Sequence, residues 1–213
     1  MPPLRLFIAA DLSSEQRSAA AQLIENLRKG VQFTKAYPKW VKPEGMHLTL
    51  KFLGNVDSER VGEIVSAVDK AIAGAASFPF DLRGLGAFPS ERQPKVLWVG
   101  AKKGAEDLGI LASGIERALR PLGFPPEQRP FHAHLTLARI KSLRDVEAMM
   151  QVVRSHGKHS ALGEAEVDRV TLYKSDLSPQ GATYTALHRW PLSLTSPRTS
   201  RTDSEPAPDR RGP

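Results

Sequence analysis

The chain has 213 residues, 40% of them apolar, and no cysteine. This supports an ordinary core in one domain or two small lobes, and it excludes disulfides, thiolate catalysis and Cys-based zinc or iron–sulfur sites. The formal charge is +7; residues 196–213 carry Arg198, Arg201, Arg210 and Arg211 against Asp203, Glu205 and Asp209, a net +1, which leaves +6 on residues 1–195. The excess belongs to the part expected to fold, which favours a polyanionic partner such as RNA, with plain solubility charge as the rival reading.

The first apolar run, residues 6–10, is closed by Asp11, too short for a secretory core or a membrane span, so cytoplasmic residence without a membrane partner is expected. Residues 5–10 read as a buried strand. Ser13, with Gln16 three positions on, makes a capping box for a helix whose apolar face is Ala20, Leu23, Ile24 and Leu27 and whose expected stop is Gly30. Residues 40–45 form a loop or short strand that carries Trp40, read as core, into His47-Leu48-Thr49-Leu50. Residues 47–53 alternate as a strand, predicting His47, Thr49 and Lys51 on one face and Leu48, Leu50 and Phe52 on the other. Val61, Ile64, Val65, Val68 and Ile72 mark a second helix, started by Asp57 or Ser58. Residues 78–82 and 96–99 are two strands, and the Gly- and Pro-rich stretch 84–94 between them is expected to be largely irregular.

Leu108, Leu111, Ala112, Ile115 and Leu119 give a third helix, followed by a connector with Pro125, Pro126 and Pro130 and by a second motif strand over 134–140. Ser142 is a candidate cap for a fourth helix with Val146, Met149, Met150 and Val153 inward. Residues 167–173 and 184–192 alternate as two closing strands around a turn at 177–181. The order of elements repeats, and the motif histidines are 134 − 47 = 87 positions apart. The plan is therefore a duplicated α+β fold over residues 1–195, bilobal, with one His-x-Thr motif per lobe. Residues 196–213 form a Pro-, Ser- and Arg-rich tail expected to be disordered.

The four letters His-Leu-Thr-Leu occur twice, as residues 47–50 and 134–137. On a strand, residues i and i+2 share a face, so each histidine is paired with a hydroxyl. Two imidazoles across one cleft can divide into a base that activates a nucleophile and an acid that protonates a leaving oxygen, while threonine hydroxyls hold phosphoryl oxygens without adding negative charge. That combination suits in-line displacement at phosphorus. The rival is a zinc site built from His47, His132 and His134, weakened because neither motif places an acidic ligand or a supporting carboxylate. His156, His159 and His188 have no repeated context and read as surface or structural. A second rival is an RNA-end-binding module that holds a phosphate without turnover.

These residues resemble the 2H phosphoesterases, in the LigT-like branch of RNA 2′,3′-cyclic phosphodiesterases. The likeness runs through Arg5-Leu-Phe-Ile-Ala, His47-Leu-Thr-Leu-Lys-Phe-Leu-Gly54, Gly86-Ala-Phe-Pro, Val96-Leu-Trp-Val-Gly100, His134-Leu-Thr-Leu-Ala-Arg139, Leu172-Tyr-Lys-Ser-Asp-Leu and Tyr184. It implies two antiparallel sheets flanked by helices around a central cleft. It also implies metal-independent, cofactor-free opening of terminal 2′,3′-cyclic phosphates to 2′-phosphomonoesters by a monomer, often with reverse 2′-5′ RNA ligation. By position, His47 and His134 would be the acid–base pair, with His47 as acid and His134 as base; Thr49, Thr136 and Arg139 would contact the phosphate. Phe7 reads as core, with stacking on the terminal base as its other role. Two features fit a regular strand poorly. Arg139, five residues past His134, would face away from it unless a bulge intervenes, and His132-Ala133 stands where the family commonly has Pro before the second His, which should loosen the entry to that strand.

Overall fold

The computed structural model describes residues 2–32, 34–157, 160–179 and 181–193. His159 and the tail 196–213 lie outside the described residues. In chain order the elements are β1 (Leu4–Ala10), α1 (Ser14–Val31), β2 (Pro38–Trp40), β3 (Leu48–Val56), α2 (Val61–Ile72), β4 (Phe78–Phe88), β5 (Val96–Ala101), α3 (Ala105–Leu119), β6 (His134–Ile140), α4 (Val146–Gly157), β7 (Glu164–Val167), β8 (Arg169–Ser178) and β9 (Gly181–Pro191).

Helix α1 begins at the expected cap, where the Ser13 hydroxyl accepts from Gln16 N at 3.1 Å, and Ala20, Leu23, Ile24 and Leu27 are buried. The capping box is not completed: Gln16 Nε2 donates to the Gly163 carbonyl at 3.3 Å and its buried Oε1 has no partner. It does not stop at Gly30. A Cβ there would lie 2.4 Å from Val152, so Gly30 is the point where α1 lies against α4, and the absence of a side chain permits the close approach. Ser58 begins a one-turn 3-10 segment, Ser58–Arg60, rather than α2 itself. Ser142 accepts from Arg144 N at 3.2 Å, which caps a turn ahead of α4 rather than the helix.

Both sheets are antiparallel. One has the order β3-β1-β8-β9, the other β2-β6-β5-β4-β7. Each sheet thus holds one motif strand, but the sheets are not the two halves of the sequence. The β4–β5 hairpin, which follows the first motif, extends the sheet of the second, and the β8–β9 hairpin extends the sheet of the first. The exchange joins the halves through backbone hydrogen bonds, and one continuous core runs from Leu6, Ile8, Leu48 and Leu50 to Leu97, Val99, Leu135 and Leu137.

The stretch expected to be irregular is partly strand. β4 continues to Phe88, with Gly84 at φ +81° inside a register shift between Leu82 and Leu85. A left-handed glycine is the usual way to bulge a strand without ending it. Gly86 lies beneath the Trp98 ring, 2.3 Å from where its Cβ would be, so only glycine leaves room for the indole.

The predicted facing of β3 is wrong at its fourth residue. Ala9 pairs with Thr49 and Ile8 with Lys51, leaving Leu50 as an extra residue that reverses the alternation. Leu50 and Lys51 are both buried, Lys51 at 3% exposure, and Phe52 comes out at 54%. Lys51 therefore does not share a face with His47. Its ammonium donates to Glu116 Oε2 at 2.9 Å and to the Pro125 carbonyl at 2.7 Å, tying β3 to α3 and to the connector that leads into β6. Paired in this way, a buried lysine is tolerated.

Candidate active site

The same bulge recurs in the second motif strand. Trp98 pairs with Thr136 and Leu97 with Ala138, so Leu137 is the extra residue, at the position Leu50 holds in the first copy. Leu137 and Ala138 are both buried, and Arg139 emerges exposed. The bulge brings Arg139 back to the face of His134 and Thr136, which a regular strand would not do. Phe52 is its counterpart in the first copy, on the face of His47 and Thr49.

Both histidines are held alike. His47 Nδ1 lies 2.9 Å from the Gly45 carbonyl and His134 Nδ1 lies 2.7 Å from the His132 carbonyl, each two residues back. A carbonyl only accepts, so Nδ1 carries the hydrogen in both rings and Nε2 keeps its lone pair for a substrate. The carbonyl just before each histidine is anchored too, by different means. Arg17 Nη1 donates to Met46 O at 2.8 Å and to Pro43 O at 3.1 Å, whereas the Ala133 carbonyl accepts from the Ala101 backbone N–H at 2.9 Å. The expected loose entry at His132-Ala133 is thus corrected: Ala133 is buried and bonded into the sheet without a proline.

Each imidazole rests on an aromatic pad. Phe7 stacks on His47 with ring centres 4.5 Å apart, Tyr184 meets it edge-on at 5.1 Å, and Tyr173 stacks behind Phe7 at 5.3 Å. On the other side His134 meets Phe88 edge-on at 5.0 Å, and His132 packs against Trp98 at 4.8 Å. Phe7 is buried as expected, yet it points away from the aliphatic core and forms the floor under His47. Trp40 is half-buried against the core and also borders a cleft. His156 bonds the Val152 carbonyl at 2.9 Å near the end of α4, and His188 packs edge-on against Trp190, so both are structural.

Burial depresses the pKa of both imidazoles. For His47 it falls to about 4, with opposing contributions from the Gly45 bond and from Asp11, and further lowering by Arg17 and by His134. For His134 burial is again the main cause, offset by the His132 carbonyl and reinforced by the charges of His132 and Arg139. His47 therefore feels the second motif, while the charges that act on His134 come from its own side. Asp11 also accepts from Tyr173 Oη at 2.6 Å and from Thr171 Oγ1 at 3.0 Å; burial first and this bond second push the Tyr173 pKa up to about 12, so it stays a phenol. Among the described residues neither Thr49 nor Thr136 has its hydroxyl bonded to protein, and no three His, Asp or Glu side chains are placed to hold a metal ion. His47, His132 and His134 do not converge as a ligand set.

The family model described as LigT like Phosphoesterase matches residues 13–98 and again 99–184. His47 stands 34 residues after residue 13 and His134 stands 35 after residue 99, so the motifs fall at equivalent places in the two matches to within one residue. The chain belongs to the LigT-like phosphoesterases. Among its curated relatives is the RNA 2′,3′-cyclic phosphodiesterase of Aeropyrum pernix, 38% identical over 165 residues, which covers 78% of this chain and 92% of that one. The protein of the same name from Thermotoga maritima is 34% identical and covers 87% of this chain and 94% of its own. Of the solved structures, TT0787 of Thermus thermophilus aligns with a TM-score of 0.72 at 29% identity, over 90% of this chain and 100% of that one. E. coli LigT complexed with 3′-AMP aligns with a TM-score of 0.67 at 26% identity, over 89% and 98%.

In this LigT-like phosphoesterase the sequence singled out both histidines, both threonines and Arg139; His47 lies just ahead of β3 and the other four within the motif strands, with the histidines and threonines half-buried and Arg139 exposed. Asp11 and Arg17 were missed. Asp11 had a faint signal, since Thr171 and Tyr173 are two apart on one strand face and both offer hydroxyls. Arg17 had none, because its partners are main-chain carbonyls 26 and 29 positions away.

Proposed function

We propose that this LigT-like phosphoesterase is an RNA 2′,3′-cyclic phosphodiesterase, a metal-independent phosphoric diester hydrolase that opens a terminal cyclic phosphate to a 2′-phosphomonoester and runs the reverse 2′-5′ ligation when an RNA hydroxyl replaces water. The observation that carries the reading is the matched pair of imidazoles, each with Nδ1 committed to a carbonyl two residues back and Nε2 free. Both motifs belong to one chain, so the site is complete in a monomer. The cysteine-free composition and an RNA substrate suit the cytoplasm.

In the proposed step His134 Nε2 takes a proton from water as its oxygen attacks phosphorus in line with the 3′ oxygen. The P–O3′ bond breaks and His47 Nε2–H gives its proton to O3′. The Thr49 and Thr136 hydroxyls donate to non-bridging oxygens, and Arg139 offsets the charge that builds on them. His134 ends protonated and His47 neutral, and exchange with solvent resets the pair. Burial holds the His47 pKa at about 4, so His47 takes up its Nε2 proton only with the anionic phosphate bound beside it; Asp11 favours that charged form and Arg17 opposes it, while His132 and Arg139 oppose a charged His134. The exposed Phe52 ring, on the His47 face, is positioned to stack the terminal base.

The test is single-turnover hydrolysis, at enzyme excess and in EDTA, of an oligonucleotide ending in 2′,3′-cyclic phosphate. The wild type should yield the 2′-phosphomonoester, and His47→Ala and His134→Ala should each lose about 10³-fold or more with unchanged thermal unfolding. Binding without product, or full activity in either variant, overturns the reading.

A further inference from the structure

A cleft of about 630 Å³ opens beside the histidine pair, between β2 with the turn that follows it and the tip of the β8–β9 hairpin. It adjoins the candidate site directly. Gly45, whose carbonyl holds His47, and Tyr184, whose ring edge meets His47, both line it, as does Arg139. Its volume is far more than one phosphate fills and lies in the range of sites that hold whole small molecules.

Its charge is arranged for an anion. In the pairing of β2 with β6, Lys39 stands directly opposite Arg139, and both line the cleft. Residues directly opposed on antiparallel strands share a face, and like charges there repel. Lys42 adds a third cation and Glu44 the one acidic group of the lining. Among the described residues no carboxylate comes within ion-pair distance of Lys39, Lys42 or Arg139, whereas Lys51, Lys103, Arg154 and Arg169 all have one. The excess of positive charge at the cleft is therefore not offset by the protein.

We infer that this cleft seats the phosphodiester immediately upstream of the reacting end, held by Lys39 and Lys42, so that an RNA terminus is favoured over a free cyclic nucleotide. This rests on the proposed function. Arg139, at the junction, serves the reacting phosphate; Lys39 and Lys42 lie farther along and serve the chain. Both lysines are exposed, so neither is needed for folding.

The experiment compares a 2′,3′-cyclic mononucleotide with a pentanucleotide ending in the same group, for wild type and for the double variant Lys39→Ala/Lys42→Ala. Expected is a roughly tenfold fall in kcat/KM for the pentanucleotide, a salt-dependence slope reduced by about 1, and mononucleotide hydrolysis within about twofold of wild type. Equal losses on both substrates, or no loss on either, overturn the inference while leaving the activity standing. Anisotropy of a labelled pentanucleotide with a 2′-phosphate end keeps the two readings apart. A wild type that binds it more tightly than the double variant but turns nothing over sinks the catalytic proposal alone.

Discussion

The two sides of the cleft share a backbone and differ in chemistry. On both, a histidine bonds the carbonyl two residues back, a threonine follows on the same face, and the fourth residue bulges so that the sixth returns to that face. On the first side the sixth residue is Phe52 and the nearby charges are Asp11 and Arg17; on the second it is Arg139, with His132 beside it. The repeated part sets tautomer and aim, which any two-histidine reaction needs twice. The unrepeated part sets charge, which acid and base need in opposite senses. Anchoring differs as well. The loop before His47 hangs on one side chain, Arg17, while the strand before His134 hangs on a main-chain sheet hydrogen bond.

That comparison can be broken where it is most unequal. Arg139→Ala should lower kcat by about 10²-fold with a smaller change in KM, the range for losing one donor to a developing oxyanion, whereas Phe52→Ala should act mainly on KM. Steady-state kinetics on one cyclic-phosphate substrate decide this; equal and purely KM effects from both would mean that the sixth position has one role on both sides.

Removing the Arg17 anchor should cost less, about tenfold in kcat, because His47 keeps its Gly45 bond. Arg17→Met also deletes a cation that lowers the His47 pKa, so the acid stays protonated to higher pH and the alkaline limb of the kcat profile should move upward. A drop in kcat with the limb unmoved would make Arg17 a structural brace only.

The smallest effect is expected from Asp11→Asn. Asp11 raises the His47 pKa, and its loss should lower that pKa. A general acid fails as pH rises through its pKa, so the alkaline limb of kcat should shift down by about half a unit. An acidic limb that moves instead, with the alkaline limb fixed, would make His47 the base and reverse the assignment of roles.

Much of the fold could be read along the chain. The Ser13 cap, the apolar faces of α1 to α4 and the existence of the two motif strands depend on local pattern, and they stand as read, whereas the Gln16 half of the expected capping box is not made. Gly30 and the stretch 84–88 were misjudged because glycine looks the same in sequence whether it ends an element, admits a neighbouring helix or bends a strand in progress. The facing of Lys51, Phe52 and Arg139 was beyond reach for another reason. A bulge is defined by its partner strand, and Leu50 and Leu137 look like ordinary members of an alternating run.

The sequence by itself determined the chemistry on offer: two rare imidazoles in matched settings, hydroxyls two residues on, an arginine past the second copy and no thiol. These are matters of composition and spacing, which survive without coordinates. Tertiary structure alone decided which strands meet, with each half lending its hairpin to the other's sheet, and so brought Tyr173, Tyr184 and Asp11 to His47 and Lys39 to Arg139. The reason is that cross-strand pairing and desolvation join residues far apart in the chain, and no local pattern records which partner will arrive.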